Sequence, residues 1–181
     1  CRTRRARRPE CALLRGGGGQ VSALPDLLVE PLVRRALEED LGRAGDVTTR
    51  AIVSESAHAK ADFVARANGT VYGLQAARLA FALLDRGAVF SGGADGAAAR
   101  RGETIATIEG PARAILTGER VALNFLIHLS GIATATARLV AAVKSAGPNI
   151  KTRITCTRKT MPGLRILEKQ AVVAGGGVNH R

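Results

Sequence analysis

Residues 150–181 read IKTRITCTRKTMPGLRILEKQAVVAGGGVNHR, and this stretch decides the fold. Ile150, Arg153, Ile154 and Cys156 alternate as a strand should. Thr157, Arg158 and Lys159 follow as a basic loop, and Pro162 stands near a first helical position, where its missing N–H costs nothing. Leu164, Leu167, Ala171 and Ala174 then fall on one helix face, and Gly175 is placed to supply a left-handed C-cap. Strand, basic loop, helix and glycine loop make a β/α unit. In β/α barrels the C-terminal end of such a strand is where active sites form.

The segment before this unit, TGERVALNFLIHLSGIATATARLVAAVKSAG (117–147), predicts a long helix. Thr117 is its expected N-cap, with Glu119 in the first turn where a carboxylate suits the helix dipole. Its first half is apolar on nearly every side, which marks a buried helix. Ser130-Gly131 predicts a kink and Gly147-Pro148 a stop. Upstream, residues 24–116 mix helices with short, non-repeating strands. A helix is expected around Leu28, Leu32, Val33 and Leu37 with Gly42 as its stop. GDVTTRAIV (45–53) reads as a turn and short strand, and residues 57–73 as strand, Asn68-Gly69 turn and strand. LQAARLAFALLDR (74–86) reads as a second helix with Leu79 and Leu83 inward, and GETIATIEGPARAIL (102–116) as a strand broken at Pro111.

Composition narrows the classes. The 181 residues are 46% apolar but only 3% aromatic, so the core is built from Ala, Val, Leu and Ile. The net charge of +12 suggests nucleic acid until it is divided along the chain. Residues 1–20 hold six Arg against one Glu, residues 21–110 are slightly acidic, and residues 151–181 hold seven basic groups against one acidic. A nucleic-acid-binding face would spread its charge and add stacking aromatics. A basic nucleic-acid-binding protein is the rival from another class, and it would show binding that falls steeply with salt. Residues 1–23 read as a disordered Arg/Gly-rich extension, with no apolar stretch that would make them a secretory signal. No run approaches the roughly 18 apolar residues a membrane helix needs, so no membrane partner is expected. Cys1, Cys11 and Cys156 have no metal or redox spacing, which makes a reducing cytoplasm the expected setting. The chain starts at Cys1 and stops just after a motif, and reads as a piece open at both ends.

Several residues could carry chemistry, each against a plainer alternative. Arg158 suits a carboxylate or phosphate bidentately and Lys159 adds point charge, with a helix start nearby; the alternative is a solvated basic loop. Gly175-Gly176-Gly177 is either a flexible cap or part of an anion site ending in Asn179, His180 and Arg181. His180 can donate a hydrogen bond or titrate near neutrality. His58 reads as surface and His128 as a packing histidine. Arg120, at the start of a buried helix, needs an anionic partner, pairs with Glu119, or is simply exposed. No His, Cys or carboxylate cluster has metal-ligand spacing.

GERVALNFLIHLSGIAT (118–134), CTRKTMPGLRILEK (156–169) and AGGGVNHR (174–181), in this order and spacing, resemble the quinolinate phosphoribosyltransferase family. EEDLGRAGDVTT (38–49) and NGTVYGLQAARLAF (68–81) are similar to its N-terminal domain. The resemblance implies an N-terminal α+β sandwich domain over residues 24–116, followed by the first part of an incomplete, TIM-like α/β barrel over residues 117–181. It implies phosphoribosyl transfer from phosphoribosyl pyrophosphate to quinolinate with decarboxylation, giving nicotinate mononucleotide for NAD. It implies that Arg120, Thr157, Arg158, Lys159, His180 and Arg181 bind substrate, with Lys159 catalytic. It further implies a homodimer in which Arg120 reaches the neighbouring site. Magnesium is expected with the sugar pyrophosphate, its ligands lying past Arg181, so that these 181 residues alone would be inactive. Cys156 stands where many members carry an acidic residue. Within the same fold, a paralogous protein associated with molybdate transport is the rival.

Overall fold

The computed structural model describes residues 23–147 and 150–180. The expected N-terminal extension lies outside the described residues up to residue 22, as does the site candidate Arg181. Helix α1 (Asp26–Leu41) buries Val29, Val33 and Leu37, one stripe at helical spacing, and stops at Gly42 with φ 55°. Leu28, expected inward, is exposed, because the stripe is rotated one position toward Val29.

The short strand expected after Gly42 is instead helix α2 (Val47–Ile52). The Asp46 carboxylate accepts the Thr49 N–H at 2.9 Å and thereby caps the helix. That local bond outweighs the β-branched preference of Val47, Thr48, Thr49 and Ile52. Strands β1 (His58–Val64), β3 (Val89–Gly92) and β5 (Thr104–Pro111) form an antiparallel sheet ordered β1-β5-β3, with His58 opposite Pro111 and Val89 opposite Glu109. Strand β2 (Gly69–Thr70) joins a separate two-stranded pairing with β4 (Ala98–Ala99).

One face of the main sheet carries buried Phe63, Ala106 and Ile108. The other carries Lys60, Asp62, Thr107 and Glu109, tied by a Thr107–Asp62 hydrogen bond of 2.9 Å. This is the alternation of an antiparallel sheet wetted on one side. Helix α3 (Leu74–Ala82) covers the apolar face, and Phe81 meets Phe63 and Phe90 at ring separations of 6.0 and 6.1 Å. The four phenylalanines are few, but three of them meet at one point. Asp95 accepts the Gly73 and Leu74 amides at 2.8 and 3.0 Å, which satisfies the start of α3 from a distant loop.

Helix α4 (Ala112–Ser145) is the spine, 34 residues in a single run. It begins directly after Pro111, so Thr117 is not its N-cap. The Thr117 hydroxyl donates to Asp46 at 3.1 Å instead, and the boundary expected between residues 116 and 117 falls inside the helix. Ser130 does not break it either. Its hydroxyl accepts the Tyr72 N–H and donates to the Tyr72 carbonyl, while Thr134 accepts the Thr70 N–H at 2.9 Å. Two hydroxyls on α4 thus serve the backbone of β2 and of Tyr72 just past it. Contrary to the expectation from apolar runs, α4 is long and apolar enough to cross a membrane by length and composition alone. Here its inner face, including Val121, Ala122, Phe125, Leu129 and Ala133, joins the one core cluster formed with α1, α3 and the sheet.

Residues 150–156 do not form the expected strand. A parallel strand is held by its neighbours, and the one pairing among the described residues is a single bridge, Thr155 with Val178. Pro162 precedes the last helix rather than opening it: residues 162–164 are a turn, and α5 spans Arg165–Ala174. Leu167 and Ala171 are buried against α4, with Leu164 and Ala174 partly so. Gly175 has an ordinary φ of −76°, and the left-handed residue is Gly176, with φ 85°. Gly175 is required for a different reason: a Cβ there would lie 2.7 Å from Thr136 Cβ and collide with the Ala133 carbonyl.

Candidate active site

The Thr155–Val178 bridge brings the two motif loops side by side. Val178 N–H donates to the Ile154 carbonyl at 2.8 Å, and Cys156 N–H to the Val178 carbonyl at 3.1 Å. Cys156, 6% exposed, then joins the loops again through its thiol. Its sulfur accepts the His180 N–H at 3.1 Å and lies 3.3 Å from Asn179 Oδ1, to which the S–H donates. Thr157, Arg158, Lys159 and His180 are all exposed around this junction. Thr157 Oγ1 accepts the Lys159 N–H at 2.8 Å, so the threonine shapes the turn that carries the lysine. Lys169 Nζ reaches the His180 carbonyl at 3.2 Å, and Arg165 donates to Thr160 Oγ1 at 3.2 Å.

The loop is anchored again at its far end. Glu168, on α5, is 9% exposed; its Oε2 accepts the Met161 N–H at 3.2 Å and its Oε1 lies 2.8 Å from His128 Nε2 on α4. His128 is therefore a satisfied packing histidine, as its apolar helix suggested. Sequence reading missed Glu168, although a carboxylate beside the Leu164, Leu167 and Ala171 stripe must find a partner if buried.

Arg120 lies elsewhere. Its guanidinium donates to Asp40 on α1 at 2.8 Å, neither to Glu119 nor to the loop, while remaining 72% exposed. The hydrogen bond to Asp40 pushes the Arg120 pKa further up. Asp40, Arg35 and Glu39 line one wall of a groove of about 930 Å³, whose other wall holds His128 and residues 161–164. The structure thus joins Thr157, Arg158, Lys159 and His180 at one place and sets Arg120 apart from them, its partner Asp40 lining a groove that on the loop side is bounded by residues 161–164. Among the described residues no group of three or more His, Cys, Asp or Glu side chains could hold a metal ion.

Comparison with known proteins gives this arrangement its relatives. The family described as quinolinate phosphoribosyl transferase, N-terminal domain, matches residues 46–130, and the corresponding C-terminal domain matches residues 132–181. The nicotinate-nucleotide pyrophosphorylase [carboxylating] of Mycobacterium leprae is 42% identical over 82% of this chain and 52% of its own length. The probable nicotinate-nucleotide pyrophosphorylase [carboxylating] of Bacillus subtilis is 42% identical over 86% of this chain and 52% of its own. The crystal structure of NadC from Streptococcus pyogenes superposes with a TM-score of 0.82 at 38% identity, covering 88% of this chain and 55% of that one. The Francisella tularensis nicotinate-nucleotide pyrophosphorylase gives 0.80 at 34% identity, covering 91% and 58%. The chain spans about half the length of the curated relatives it matches. Its fold is the family's N-terminal α+β sheet domain with the helix that leads into the α/β barrel. The chain belongs to the quinolinate phosphoribosyltransferase family.

Proposed function

We propose that this protein takes part in phosphoribosyl transfer to quinolinate, in the step that gives nicotinate mononucleotide, pyrophosphate and carbon dioxide. The observation that carries this reading is the Cys156 staple, which holds the exposed Arg158–Lys159 loop beside His180. A pyridine dicarboxylate brings two negative charges to such a place. Arg158 would take one carboxylate bidentately, while Lys159 and His180 would supply a point charge and a further donor. Arg181 belongs to the same proposal through its place in the motif. Thr157 acts by setting the turn.

In this reading the cationic loops hold quinolinate with its ring nitrogen toward the sugar. Pyrophosphate leaves the ribosyl carbon with the bonding electron pair, and the nitrogen lone pair forms the new C–N bond. The resulting pyridinium ring accepts the electron pair released when carbon dioxide departs from the adjacent carbon, and that carbon then takes a proton. Lys159 lowers the energy of the carboxylate form by charge. Magnesium, which accompanies the sugar pyrophosphate, finds no ligand set among the described residues. We infer a cytoplasmic homodimer in which Arg120 serves the neighbouring subunit's site, with residues 24–116 and 117–181 as its two domain portions.

Calorimetric titration of quinolinate into the full-length protein tests the assignment. Lys159→Ala and Arg158→Ala are expected to weaken binding about tenfold to a hundredfold, the range for losing a hydrogen bond to a charged group. Lys60→Ala, whose ammonium is exposed and 3.7 Å from Glu109, is expected to bind as the parent does. Equal affinity in all three variants removes Arg158 and Lys159 from the site.

A further inference from the structure

We propose that Glu168 is a positioning residue for the basic loop. It would act with His128 to fix the chain path from Lys159 through Met161; this rests on the functional reading above. One carboxylate, nine-tenths buried, spends one oxygen on the amide two residues past Lys159 and the other on an imidazole from the long helix. A buried carboxylate with two partners on different elements fixes both, because releasing either leaves one buried oxygen without a donor. The Met161 amide sits at the exit of the turn that Thr157 opens, so the loop is held by the Thr157–Lys159 and Cys156–His180 bonds at one end and by Glu168 at the other. Past Met161 the Leu164 N–H bonds the Met161 carbonyl within the turn itself, Leu164 packs partly buried on the core, and Arg165 donates back to Thr160 Oγ1, but Glu168 alone among these bonds the Met161 amide. The hydrogen bonds of the Glu168 carboxylate go to the Met161 amide and to His128, not to Arg158, Lys159 or His180. Its effect on chemistry must pass through the placement of Arg158 and Lys159.

The consequence is a graded series in the full-length protein. Glu168→Ala removes the acceptor for Met161 and is expected to raise the KM for quinolinate about tenfold or more, with a smaller change in the KM for phosphoribosyl pyrophosphate. Glu168→Gln keeps an acceptor oxygen for the amide and is expected to restore most of the loss, and His128→Gln to fall between. Amide hydrogen exchange across residues 157–164, which needs no ligand, is expected to quicken in the same order. If Glu168→Ala does not fold, Glu168→Gln and His128→Gln still test the order. Quickened exchange in a protein whose parent form binds no quinolinate would retire the functional reading while leaving the anchor intact. The proposal is overturned if exchange at Met161 is unchanged in the alanine variant, or if that variant loses thermal stability while both KM values stay parental.

Discussion

Replacing Gly175 by Ala isolates the contact that joins the last helix to the spine. The φ of −76° suits any L residue, so backbone strain contributes nothing. The penalty is steric. The new Cβ would stand 2.7 Å from Thr136 Cβ, where ordinary contact begins at 3.4 Å, and would also strike the Ala133 carbonyl. Ala133 and Thr136 are 0% and 6% exposed, and a backbone carbonyl cannot rotate aside, so α5 must withdraw from α4 by most of an ångström. Overpacking of this kind costs about 1–3 kcal/mol, and the rigidity of the obstacle places Gly175→Ala at the upper end. The smaller entropy of an unfolded chain containing Ala returns about 0.4–1 kcal/mol, leaving a net loss of about 2 kcal/mol. Gly131 is the internal control. It lies inside α4, and a methyl added there would meet nothing within 4 Å beyond its chain neighbours and its own helix backbone, so Gly131→Ala should gain about 0.5–1 kcal/mol of helix propensity. The same methyl, added at two glycines, therefore shifts stability in opposite directions. Urea unfolding followed by far-ultraviolet circular dichroism reads both, with midpoint shifts of about 1 M down and a few tenths of a molar up. A parental midpoint for Gly175→Ala would refute the close approach of α5 to α4.

Two further outcomes are expected. Burial pushes the Asp95 carboxyl above its ordinary value of 3.8, against the backbone hydrogen bonds from Leu74, Gly73 and Gln75 that pull it down. A folded pKa above the unfolded one means the native state holds the proton more tightly, so its contribution is greatest below pH 3.8 and is lost as pH rises through the higher folded value. Stability of Asp95→Asn relative to the parent should therefore improve as pH climbs from about 4, and a flat difference curve would show that burial does not govern this carboxyl. Arg120→Ala and Lys159→Ala should each be nearly inactive in the full-length enzyme. Co-refolded into mixed dimers, they should recover part of parental activity, since one site then receives both defects and the other neither. Mixed dimers that form but stay inactive would return Arg120 to its own subunit.

Much of this molecule is legible in its residues alone. The stripe at Val33 and Leu37 with Gly42 behind it, the alternation along β5, and the apolar run through Leu129 each encode an element by local periodicity. The motif order from Arg120 to His180 carried the family. The features that needed the folded chain lie where a residue's partner is remote in sequence. Two departures are local instead: residues 47–52 became a helix because Asp46 caps them, and Thr117 left the cap position because the chain was already helical from Ala112. Residues 150–156 had the pattern of a strand, but among the described residues their one ladder bridge is to Val178, and a parallel strand exists by virtue of its neighbours. Arg120 chose Asp40, eighty residues away, over Glu119 beside it, because successive helix positions point in different directions. Gly175 looked like a cap and proved to be a contact surface, while Cys156 and Glu168, inconspicuous in the sequence, hold the basic loop at its two ends. Periodicity encodes which face is buried; only the folded chain brings together the particular donors and acceptors that distant segments present to one another.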